Sequence, residues 1–135
     1  MTFSAPHHSM LVIDDDEGIL KVFRRIFEKK GYSVATAQTG KEAKEKLIES
    51  DYDVTLVDLT LPDMNGADLL PGMKKKSPRM VRIVITGLSS EEKDQTLEKG
   101  ADVFLEKPVH PQVLIDLLEQ KLKEKSLDFE KELKC

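Results

Sequence analysis

The chain has 135 residues, a formal charge of −4 (21 Lys+Arg against 25 Asp+Glu), 39% hydrophobic and 34% charged residues, which fits one soluble globular domain with a wet surface. The acidic balance speaks against a broad basic face for nucleic acid, and the single cysteine, Cys135, excludes an intramolecular disulfide and suits a reducing compartment. No apolar run approaches the roughly 20 residues a membrane helix needs, and residues 1–9 lack the apolar core of a secretory signal, so the expectation is a cytoplasmic protein without membrane association.

Residues 1–8 have no hydrophobic period and read as a disordered N-terminal arm, in which His7 and His8 are solvated side chains rather than a metal site. Met10 to Ile13 is a continuous apolar run, as in a strand covered on both faces of a parallel sheet. Asp14-Asp15-Asp16 follows directly, and then Ile19, Leu20, Phe23, Ile26 and Phe27 recur at helical spacing, with Asp16 as N-cap and Gly31 just past the end. Tyr32 to Ala37 reads as a second strand. Thr39 and Glu42 fit a capping box ahead of a helix with Ala43, Leu47 and Ile48 on one face.

Val54 to Val57 forms a third strand that runs into Asp58, and Pro62, Asp63, Asn65 and Gly66 then force a loop. The helix beyond carries Leu69, Leu70 and Met73 inward, but Pro71-Gly72 lies inside it and predicts a kink or a shortened helix. Met80 to Thr86 is the fourth strand. Ser90 caps a helix that Gly100 ends, Ala101 to Leu105 is the fifth strand, and a last helix after Lys107-Pro108 buries Val113, Leu114, Leu117, Leu118 and Leu122. Strand–helix alternation with short connections implies a parallel sheet with helices on both faces. The domain is expected over 9–122. Residues 123–135 are either a C-terminal extension of the last helix, with Leu118, Leu122, Phe129 and Leu133 near one face, or a linker.

Five side-chain groups stand at carboxyl ends of strands: Asp14 and Asp15 after the first, Asp58 after the third, Thr86 ending the fourth and Lys107 after the fifth. Taken singly, each acid is most often a cap or turn residue, Thr86 a strand former and Lys107-Pro108 a turn. Together they converge on one edge of a doubly wound sheet, where ligands bind. Three carboxylates in one cleft need a cation, and hard oxygen donors suit Mg²⁺. No His/Cys cluster supports zinc, and no glycine-rich phosphate loop supports a nucleotide. A carboxylate beside a divalent cation, a hydroxyl and an ammonium is equipped to accept a phosphoryl group.

The stretches Leu11-Val12-Ile13-Asp14-Asp15-Asp16, Leu56 to Gly66, Val84-Ile85-Thr86-Gly87 and Phe104-Leu105-Glu106-Lys107-Pro108 together resemble the receiver domain of two-component response regulators. The resemblance implies a doubly wound, flavodoxin-like (βα)5 fold with sheet order 2-1-3-4-5 and Asp58 as phosphoacceptor for a sensor histidine kinase or phosphotransfer protein. It implies Mg²⁺, with Mn²⁺ as a substitute, on Asp14, Asp15, Asp58 and the Thr60 backbone carbonyl. Lys107 would pair with the phosphoryl group, and Thr86 with Phe104 would form the switch. The partner on the output side would be an effector protein or a fused output domain, with a homodimer forming on phosphorylation and no direct contact with nucleic acid.

Phe104 stands where tyrosine is common in that family, so it brings no phenol hydroxyl, and Gly87 replaces a common alanine. Thr60 and Leu88 occupy the positions that tune dephosphorylation in the family; Leu88 cannot orient water, so slow-to-moderate self-hydrolysis is expected. Two rivals are an aspartyl-phosphate phosphatase, which would need an acid where Thr60 stands, and a phosphorylation-independent adaptor, which the five intact site residues disfavour.

Overall fold

A computed structural model describes residues 8–87 and 92–134, with the backbone alone for 129, 132 and 134. Among the described residues the strands are β1 (Ser9–Ile13), β2 (Ser33–Ala37), β3 (Val54–Val57), β4 (Val81–Thr86) and β5 (Val103–Glu106), and the helices α1 (Glu17–Lys29), α2 (Gly40–Glu49), α3 (Leu70–Lys76), α4 (Lys93–Lys99) and α5 (Pro111–Lys134). A short 3₁₀ helix, Gly66–Leu69, leads into α3. All neighbouring strands pair in parallel in the order β2-β1-β3-β4-β5. The chain steps one way from β1 to β2 and the other way from β3 to β5, so the order reverses between β1 and β3.

Period-two alternation sends each strand's side chains to two cores. Met10, Val12, Val54, Leu56, Val81, Ile83 and Ile85 meet Leu20 and Phe27 of α1 and Leu114, Ile115 and Leu118 of α5. Leu11, Ile13, Val57, Val84 and Phe104 meet Ala43 of α2, Leu70 and Met73 of α3 and Leu97 of α4. Burial on both faces explains why the strands read as unbroken apolar runs. Each fully buried large side chain, such as Phe27 or Leu70, contributes roughly 1.5–3 kcal/mol.

Local signals act largely as anticipated. The Asp16 side chain accepts from the amides of Gly18 and Ile19, and Gly31 follows α1 at φ +96°, where a Cβ would be strained. The Thr39 hydroxyl accepts from the Glu42 amide at 3.0 Å. The reciprocal half of the capping box is altered: Glu42 accepts at 3.5 Å from the Gln38 amide, one residue before the cap, while Lys46 stands 3.7 Å from its carboxylate. Pro71 falls in the first turn of a seven-residue α3, where its missing N–H has no intrahelical partner to lose.

Three expectations need correction. Ile48 is 81% exposed rather than inward, because five residues of helix carry it about 140° from Ala43. Val113 is 51% exposed and Ile115 takes its place in the core beside Leu114 and Leu118. The fifth strand lies at Val103–Glu106, since Gly100 ends α4 at φ +127° and Asp102 is held at the strand's entrance by its amide bond to the Arg82 carbonyl. The Ser90 cap, the His7 reading and most of the N-terminal arm lie outside the described residues.

Candidate functional site: an acidic cleft at the strand ends

The reversal of strand order opens the sheet's carboxyl edge between β1 and β3, and both strands deliver an aspartate there. The Asp14 amide donates to the Ala37 carbonyl and the Asp58 amide to the Ile13 carbonyl, so each acid is fixed by the sheet ladder itself. Both are buried, at 4% and 7% exposure, whereas Asp15 is exposed. One carboxylate oxygen from each of Asp14, Asp15 and Asp58 lies within 4.8 Å of the others.

Lys107 closes the cleft from the loop after β5. Its Nζ donates to Asp14 Oδ2 and Asp58 Oδ2, each at 2.9 Å, and its amide donates to the Thr86 carbonyl at 2.8 Å. Burial works against the ammonium, but the bonds to the two carboxylates outweigh it and hold the Lys107 pKa above the ordinary lysine range. Burial raises the Asp14 pKa, against the lowering by the Asp16 amide and Lys107. Three carboxylates against one ammonium leave a formal charge of −2 in the cleft. Oxygen donors at that spacing with excess negative charge fit a hard divalent cation such as Mg²⁺.

The remaining expected residues are brought to this edge in different ways. Thr86 is fully buried at the end of β4. Phe104 is nearly buried in the core shared with α2, α3 and α4, paired in register with Val84. Thr60 is exposed; its amide donates to Asp58 Oδ1 at 3.0 Å, and it forms an isolated antiparallel bridge with Asn65. Leu88 lies outside the described residues.

The loop between Asp58 and the 3₁₀ helix is tightly built. The Gly66 amide donates to the Leu59 carbonyl at 2.8 Å, and a Cβ on Gly66 would lie 2.1 Å from the Asp58 carbonyl oxygen, so a side chain there would force the loop off the strand end. The loop's tip is anchored elsewhere: the Asp63 carboxylate accepts from the amides of Gly40 at 2.8 Å and Lys41 at 2.9 Å. Those two bonds hold the Asp63 pKa below the ordinary aspartate range. Sequence reasoning assigned Asp63 to a turn and missed this cap, because the helix it serves begins 23 residues earlier and no local pattern links the two.

Comparison with known proteins agrees with this geometry. The family model of the response regulator receiver domain matches residues 10–119. Response regulator SaeR of Staphylococcus aureus (strain USA300) is 33% identical over 107 residues, which are 78% of this chain and 46% of SaeR; the chain thus spans about half the length of the curated relatives it matches. A CheY-like response regulator receiver domain protein from Methanospirillum hungatei JF-1 superposes with a TM-score of 0.86 at 36% identity, covering 90% of this chain and 98% of that one. The BeF3-activated DrrB receiver domain gives a TM-score of 0.79 at 30% identity, covering 87% and 98%.

Proposed function

The chain belongs to the response regulator receiver domain family, and we propose that it is the phosphoacceptor switch of a two-component system, with Asp58 taking the phosphoryl group from a histidine. Receiver domains are signalling domains rather than enzymes with a separate substrate; the chemistry assigned here is the chain's own phosphorylation and hydrolysis. One observation carries the reading: the Asp58 carboxylate, fixed at the strand-order reversal, shares a cleft with two further carboxylates and is bonded to an ammonium at 2.9 Å.

An Asp58 carboxylate oxygen forms the new bond to phosphorus while the donor's P–N bond breaks and its electron pair returns to the imidazole nitrogen. The difficulty is an anion attacking an anion. Lys107 already spans Asp14 and Asp58, so its charge is in place to meet the phosphoryl oxygens. Asp14, Asp15, Asp58 and the Thr60 carbonyl would hold Mg²⁺, or Mn²⁺ in its stead, which would supply the remaining charge neutralisation when bound. Thr86 then donates a hydrogen bond from its hydroxyl to a phosphoryl oxygen, and Phe104, already largely inside the core, forms the switch with it. The affected surface is α4, β5 and α5. Moving such a domain from 1:99 to 99:1 needs about 5.5 kcal/mol of differential stabilisation, and the new charge and hydrogen bonds at Thr86 and Lys107 supply much of it.

The BeF3-activated DrrB receiver domain supports this reading, since a fluoroberyllate has the shape of a phosphoryl group. The donor is a sensor histidine kinase or phosphotransfer protein in the cytoplasm, and the output is an effector protein or a fused domain, reached directly or through a homodimer. No helix among the described residues is long and apolar enough to cross a membrane. The test is incubation with Mg²⁺ and acetyl phosphate. Wild type is expected to gain an acid-stable, base-labile label that Asp58→Asn lacks. Equal labelling of the two overturns the assignment, and multiple turnover on a phosphate ester points to a phosphatase.

A further inference from the structure

The bonds of the 60–65 loop divide into two sets. At its base the Thr60 amide reaches Asp58 Oδ1, Thr60 bridges Asn65, and the Gly66 amide reaches the Leu59 carbonyl. At its tip Asp63 caps α2 by accepting from Gly40 and Lys41, while Met64 lies over Gly40 so closely that a Cβ on that glycine would stand 2.0 Å from the Met64 sulfur. The helix already has a cap of its own, the Thr39 hydroxyl on the Glu42 amide. Asp63 satisfies the two amides that Thr39 leaves open. The same two bonds clamp the loop onto a helix that carries no acid of the cleft.

We propose that Asp63 is a positioning residue for the acidic cleft: by capping α2 from across the loop, it holds the 60–65 segment, and with it the Thr60 carbonyl and the Thr60 amide bonded to Asp58, in the geometry that cation binding requires. The inference rests on the phosphoacceptor reading, in which the Thr60 carbonyl is a ligand. The base bonds fix the Thr60 amide, and the tip bonds, three residues further on, limit how far the peptide that carries the Thr60 carbonyl can turn. Replacing a residue that orients a ligating group typically costs about 10–100-fold in metal affinity.

Three variants separate positioning from simple helix stabilisation. Asp63→Ala removes both tip hydrogen bonds, Asp63→Asn keeps one acceptor oxygen for one of the two amides, and Thr39→Ala removes the other cap from the same helix end without touching the loop. Mg²⁺ affinity and hydrogen exchange of the Thr60 amide are measured by NMR on the full chain, beside denaturation midpoints. Asp63→Ala is expected to raise the Mg²⁺ Kd about tenfold, the lower end of the effect seen for residues that orient metal ligands, and to speed Thr60 exchange. Asp63→Asn should fall between Asp63→Ala and wild type on both, and Thr39→Ala should lower the midpoint while leaving both at wild-type values. If Asp63→Ala and Thr39→Ala lower the midpoint alike and neither alters the Kd, the residue is only a cap and the proposal falls. If wild type itself does not bind Mg²⁺, the phosphoacceptor reading falls instead.

Discussion

At the scale of single residues, the cleft trades stability for chemistry. Asp14 is buried among like charges, and burial is the main cause of its raised pKa. A carboxyl whose folded pKa lies above its unfolded one favours the folded state at low pH and costs stability once ionised. Metal-free Asp14→Asn is therefore expected to unfold at a higher denaturant concentration than wild type at neutral pH. The gap should shrink as pH falls through the raised Asp14 pKa, because wild type then takes up the proton, and Mg²⁺ should no longer stabilise the variant. Asp63 has the opposite sign, its pKa lowered by the Gly40 and Lys41 amides, so its stabilisation is present above the ordinary aspartate range and lost as pH falls through its own lower pKa. Asp14, Asp15, Asp58, Thr86 and Lys107 were legible because each follows or ends an apolar strand, and a doubly wound sheet gathers such ends. Asp63 was not, because its partners lie in another element.

At the scale of elements, the strands show where pattern reading stops. Apolar continuity located all five strands to within a residue or two, yet it hid Arg82, whose neighbours Val81 and Ile83 are fully buried. Alternation turns Arg82 to the opposite face from them, where its side chain is 3% exposed and donates to the carbonyls of Gly100 at 2.6 Å, Met80 at 3.0 Å and Ser77 at 3.3 Å, with Asp102 at 3.7 Å. One guanidinium thus ties the entrances of β4 and β5 together. Burial lowers its pKa while Asp102 opposes that shift. Arg82→Ala strands those carbonyls and is expected to cost about 3 kcal/mol, as for removal of one partner from a buried charged network; urea unfolding of the variant checks it. Helix faces were read less well than strands: spacing of three or four around Ala43 and Leu114 found the core side, but Ile48 and Val113 sit one residue off it. Pro71 signalled a break correctly, and the 3₁₀ helix in front of α3 shows how the chain absorbs it.

At the scale of the molecule, two cores on either side of one sheet hold residues up to Leu122, which packs against the α1–α5 side. Beyond it α5 continues through Lys134, and Lys125 is bonded back to the domain, its Nζ 3.0 Å from Asp102 and 3.4 Å from the Pro78 carbonyl. We propose 9–122 as the folding unit. A chain ending at Leu122 is expected to unfold cooperatively, to lose no more than about 1 kcal/mol with the Lys125 contacts, and to label with acetyl phosphate as the full chain does; loss of cooperative unfolding in circular dichroism would move the boundary outward. The same geometry makes α5 a lever. At about 1.5 Å per residue, the nine residues after Lys125 form an arm of roughly 14 Å. A tilt of about 10° at the domain's edge would sweep its end through about 2 Å, while the helix's base beside the sheet would move by a fraction of that. Gearing of this kind depends on length alone: each turn removed from the arm shortens the stroke in proportion, whatever residues it carries.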